Sequence, residues 1–127
     1  MAKGIKLQFI PHSQLSVMSP YKRVKFLLDN VAEDKIIILQ GTLSHEEKKD
    51  LIEETMKKIK GSRGFRGIEI ETLNPKIVDM GLMMRLRKSI ADFLVGDREV
   101  LTLIGPATII KEVKKDLKKL ELFLKLK

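Results

Sequence analysis

The residues with most chemistry to offer lie close together. Lys57, Lys58, Lys60, Arg63 and Arg66 place five positive charges in ten positions with no acid among them. Phe65 stands between two Arg. A cationic stretch with one aromatic ring can hold phosphates through Lys and Arg and stack a base on the ring. Gly61, Gly64 and Gly67 would let such a loop follow a ligand. The same residues also have a plain structural reading. Lys at a helix C-terminus complements the helix dipole, Gly ends the helix, and Phe65 opens the next strand.

Four other sets invite a chemical reading and each has a simpler one. Gly105, Ala107 and Thr108 sit where a strand pattern passes into a helix, and free amides at a helix start favour an anion. Pro106 removes one donor there, and neither a P-loop nor a dinucleotide fingerprint is present. His45 lies beside Glu46 and Glu47, yet no second His follows at i+4, and His12 belongs to a separate segment. Ser44 and Glu47 read better as a capping box. Glu69 and Glu71 share one face of a strand and could hold a hard cation, or be matched by Lys125 and Lys127 on a neighbouring strand. Met80, Met84, Arg85, Arg87 and Lys88 form an adaptable, basic helical surface suited to a protein partner. With no Cys, thiolate metal sites, disulfides and Cys nucleophiles are all removed. The expectation is a protein with no catalytic residues, no metal site and no cofactor.

The elements that must position these residues alternate from end to end. Ile5 to Phe9 alternates as a half-buried strand. Pro11 to Ser19 reads as a loop, and Ser19-Pro20 as an N-cap with Pro at the first helical position. The helix that follows to Val31 places Val24, Leu27, Leu28 and Val31 inward and Lys22, Arg23 and Lys25 mostly outward. Ile36 to Leu39 is a continuous apolar run, as in a strand covered on both faces. The capping box then opens a helix to Lys60 whose stripe is Leu51, Ile52, Met56 and Ile59; its acids come early and its bases late.

Gly67 to Leu73 is a strand with one wet face. A helix beginning between Asp79 and Leu82 runs to Val95. Glu99 to Ile104 is a fourth strand, and Gly105-Pro106 turns into a helix from Ala107 to about Lys118. The last eight residues read either as a continuation of that helix or, better, as a strand with Leu120, Leu122, Leu124 and Leu126 on one face. The expectation is one α/β (or α+β) domain over residues 1–127. Its order is βαβαβαβα with a fifth C-terminal strand, in a mixed sheet packed with helices. Strand two is central; strands one, three and the last lie nearer the edges or run antiparallel.

Composition narrows the setting. The net charge of +8 and a pI near 9.7 favour anionic partners. The stretch from Lys111 to the C-terminus carries seven Lys against three acids, half of that charge. The longest uninterrupted apolar run is four residues, far short of a membrane span, and the N-terminus lacks a signal-peptide pattern. No membrane association and a cytoplasmic setting are expected. Asn and Gln total five against 42 charged residues, which leans towards a hot environment.

The segments Ile5 to Pro11, Met18 to Val31, Lys35 to Ile59, Gly67 to Thr72 and Leu103 to Pro106 resemble an uncharacterised archaeal domain family. Genes of that family tend to neighbour those for a small Era-like GTPase and a zinc-ribbon protein. The resemblance implies an archaeal cytoplasmic accessory protein near ribosome or RNA metabolism, and carries over no site residues. Two functions are expected on this basis. One is a non-enzymatic accessory protein of RNA or a ribonucleoprotein, with Lys57, Lys58, Lys60, Arg63 and Arg66 on phosphate and Phe65 on a base. The other is a protein-interaction adaptor, for instance of a small GTPase, through the surface from Met80 to Lys88. A homodimer by sheet-edge pairing would suit either.

Overall fold

The computed structural model describes residues 5–59, 67–73 and 100–116. Their order is β1 (Lys6–Ile10), α1 (His12–Ser16), α2 (Pro20–Asn30), β2 (Lys35–Gln40), α3 (His45–Lys58), β3 (Ile68–Leu73), β4 (Leu101–Pro106) and α4 (Ala107–Lys115). The four strands form one mixed sheet in the order β1-β2-β4-β3. β1 runs parallel to β2, with Lys6 opposite Lys35, and the crossover carries α1 and α2. β4 lies antiparallel to both β2 and β3, with Ile37 opposite Ile104 and Glu69 opposite Gly105. The fold is therefore α/β, with β2 inside and β1 and β3 as the outer strands of the described sheet.

Alternation along the strands builds two cores. Ile36 and Ile38 of β2 face one side with Leu101, Leu103, Leu73 and the α4 residues Ile110 and Val113. Ile37 and Leu39 face the other with Leu27 of α2, Leu51 of α3 and Ile104. Helices thus cover both faces of β2, which is why its apolar residues run without a break. Fully buried side chains such as Leu27, Ile36, Leu51 and Leu103 each contribute about 1.5–3 kcal/mol to this packing.

The helix starts follow local chemistry. Ser19 caps α2, its side chain accepting from Lys22 N, with Pro20 at the first helical position. Ser44 and Glu47 form the complete capping box of α3. Among the described residues no helix is long and apolar enough to cross a membrane.

Several expectations need correction. The segment from Pro11 to Ser19 is not all loop: His12–Ser16 forms the short helix α1, which buries Leu15. The side-chain oxygen Oε1 of Gln40 accepts from its first amide, His12 N, at 3.1 Å. Gly105 and Pro106 are the last residues of β4 rather than a turn. α4 ends at Lys115, earlier than expected, because Asp116 is extended at φ −153° and ψ 108°. The strand expected from Leu120 and the helix expected from 79–82 to Val95 lie outside the described residues.

α3 is also rotated from its expected face. Leu51 is buried as expected, but its buried companions are Glu47 and Thr55, while Ile52 is 37% and Met56 50% exposed. Arg23, expected outward on α2, is drawn in against Glu47.

Candidate functional site

α3 ends in the basic segment, and its last turn is the described part of it. Lys57 donates to Glu54 Oε2 at 3.0 Å, one turn earlier on the same helix face. That hydrogen bond, and then the charge of Glu54, raise the Lys57 ammonium above the ordinary Lys range. Lys58 donates to the carbonyl of Leu28 near the end of α2, at 2.9 Å. An ammonium has three donors. One protein acceptor each therefore orients both side chains and leaves donors over for an anion.

The same end of the fold receives the chain again at Gly67. Its φ of +107° is open to Gly at little cost. A Cβ there would lie 2.8 Å from Met56 Sδ. Its carbonyl accepts from Ala107 N at 3.0 Å. α3, β3 and α4 thus frame the two ends of segment 60–66. Lys60, Arg63, Phe65 and Arg66 themselves lie outside the described residues, as do Met80, Met84, Arg85, Arg87 and Lys88.

The start of α4 is a poorer anion site than its sequence suggested. Gly105 is buried within β4 and Pro106 has no amide proton. Ala107 spends its own on Gly67. Thr108 is exposed, and α4 has no side-chain cap. Gly105 has a packing role instead: a Cβ would meet Ile110 Cδ1 at 3.2 Å and Ile36 Cγ1 at 3.3 Å.

Glu69 and Glu71 share a face of β3, but Glu69 accepts from Lys114 Nζ of α4 at 3.2 Å. The partner comes from a helix above the strand, whereas Lys125 and Lys127 lie outside the described residues. His45 is exposed at the first position of α3 and His12 at that of α1. The described residues hold no group of three or more His, Cys, Asp or Glu arranged for a metal.

Sequence reasoning missed one polar cluster. Arg23 Nη1 donates to Glu47 Oε2 at 3.1 Å, and Arg23 Nε to the carbonyl of Leu15 at 3.0 Å. Glu47 Oε1 accepts from Ser44 N at 2.8 Å. A single carboxylate therefore closes the cap of α3 and ties α3 to α2. The capping box was a usable signal for Glu47; nothing local marked Arg23.

The family model described as Origin-associated protein OapB matches residues 15–125. No curated protein and no solved structure matches the chain.

Proposed function

Since the chain belongs to the family described as Origin-associated protein OapB, we propose that it is a non-enzymatic accessory protein that associates with RNA or a ribonucleoprotein. It would hold phosphate through the basic segment 57–66. One observation carries this reading: Lys57 and Lys58 are oriented by Glu54 and Leu28 yet keep donors free, immediately before Lys60, Arg63 and Arg66. Phe65 supplies a ring for a base. The family description, origin-associated, suits a protein that works beside a nucleic acid.

Charge distribution points the same way. The described residues hold twelve Lys and Arg against twelve Asp and Glu, so the chain's net +8 rests on the remaining segments, 60–66 among them. A neutral scaffold with basic segments attached concentrates anion attraction where those segments emerge.

The test is binding of a single-stranded RNA measured against salt. Affinity should fall steeply, and Arg63→Ala/Arg66→Ala should reduce the slope of log K against log salt by about 1.4. Lys57→Ala/Lys58→Ala should do about the same. Absence of binding at low salt to both RNA and duplex DNA would end the reading; tighter binding to the duplex would move it to DNA.

The second reading, an adaptor for a small GTPase through Met80, Met84, Arg85, Arg87 and Lys88, is supported by the resemblance and by the Met and Arg content of that segment. An archaeal source, a cytoplasmic setting and a hot habitat belong to the same proposal. They are supported by the resemblance and by the scarcity of Asn and Gln.

A further inference from the structure

α2 and α3 lie side by side, and a groove of about 650 Å³ opens between them. Its two walls differ in chemistry. The α2 wall is mostly apolar, built from Pro20, Tyr21, Val24 and Leu28 along one face of that helix, with Lys25 among them. The α3 wall carries Glu46, Asp50 and Glu54, one carboxylate per turn. Glu47 at its base is already occupied by Arg23, and Glu54 by Lys57. Glu46 and Asp50 have no hydrogen-bond or ion-pair partner among the described residues. Tyr21 stands 76% exposed at the rim. A ring left in water beside unpaired carboxylates has both its apolar area and its negative face available.

We propose that this groove docks a cationic amphipathic helix of another protein, with its apolar stripe on Pro20, Tyr21 and Leu28 and its Lys or Arg stripe on Glu46 and Asp50. Helix-in-groove recognition seats an apolar stripe in an apolar groove, and the acidic wall would select a cationic flank. A nucleic acid would meet repulsion from the α3 wall. A second copy offering its α4 would bring Lys111 and Lys115, but Ile110 and Val113 of that helix are spent in its own core. The groove adjoins the basic end of α3 at Glu54 and Leu28, which Lys57 and Lys58 hold. Glu46 and Asp50 lie towards the other end of that helix, and the inference does not rest on nucleic-acid binding.

The chain has one Tyr and no Trp, so tyrosine emission reports on this groove alone. The probe is a synthetic helical peptide with a Leu stripe and an Arg stripe, free of aromatic residues. Saturable binding should change Tyr21 emission. The variant Glu46→Lys/Asp50→Lys should weaken binding about tenfold or more. Glu46→Gln/Asp50→Asn should weaken it less, and guards against an effect of reversed charge at the helix start. A peptide of the same composition with scrambled stripes should bind more weakly than the ordered one. The proposal is overturned by equal affinity of the charge-reversed variant, by binding that leaves Tyr21 emission unchanged, or by no binding at millimolar peptide. It is equally overturned if RNA alone shifts Tyr21 emission, or if the protein alone self-associates through residues that Glu46→Lys/Asp50→Lys removes.

Discussion

Thr55 is fully buried in α3, and its hydroxyl has no hydrogen-bond partner among the described residues. Burial of an unsatisfied hydroxyl is destabilising, and Val reproduces its shape without the polar atom. Thr55→Val should stabilise the fold by about 1 kcal/mol, read as a higher urea midpoint with unchanged m-value. A loss of stability would mean that the hydroxyl is satisfied in solution. Glu47 is the opposite case. Its side chain is 6% exposed and every interaction is matched, by Ser44 on one oxygen and Arg23 on the other. The Ser44 half was legible because a capping box is a spacing of three residues. The Arg23 half was not, since 24 residues separate the partners and only the packing of α2 beside α3 joins them.

At the scale of elements, α3 shows how periodicity can point to a helix and still misplace its face. Leu51, Ile52, Met56 and Ile59 form a fair apolar stripe, but the helix rests on α2 as well as on the sheet. That second contact turns Glu47, Leu51 and Thr55 inward and leaves Met56 beside Gly67. Two glycines hold neighbouring elements close for different reasons. Gly67→Ala should destabilise by about 1–2 kcal/mol because φ is +107°. Adding Met56→Ala should not restore stability, since removing the side-chain clash leaves the backbone strain. Gly105→Ala has ordinary backbone geometry and should cost about 1–3 kcal/mol through overpacking against Ile110 and Ile36. Chemical denaturation of the three variants separates the two causes; rescue of Gly67→Ala by Met56→Ala would assign its cost to packing instead.

For the whole molecule, the two proposed surfaces meet at one end of the α2–α3 layer, where Lys57 and Lys58 hold Glu54 and Leu28. The groove runs along the acidic part of α3 to Glu54, and the basic end begins at Lys57. Glu46 and Asp50 lie towards the start of α3 and Lys57 and Lys58 at its end, so RNA and the cationic peptide should bind together. Saturating RNA should leave the peptide affinity, followed by Tyr21 emission, unchanged within about twofold at 0.15 M salt, where screening acts over roughly 8 Å. Mutual displacement would mean that the surfaces overlap. The outer positions of β1 and β3 also identify the strands a homodimer built on the described sheet would extend.

The sequence by itself determined what is local. Alternation of strand and helix, the continuous apolar run of β2, the Ser19-Pro20 start and the Ser44–Glu47 box are each written within a few residues, so backbone periodicity and capping chemistry suffice to read them. The half-polar faces of β1 and β3 put them nearer the edges or antiparallel, and both are outer strands of the described sheet. Tertiary structure decided what depends on partners distant in sequence. It placed β4 between β2 and β3, rotated α3, brought Arg23 to Glu47, paired Glu69 with Lys114 and opened an apolar and acidic groove beneath Tyr21. The physical reason is the same in each case: a side chain's own spacing says which face it shares, but only packing says what that face meets.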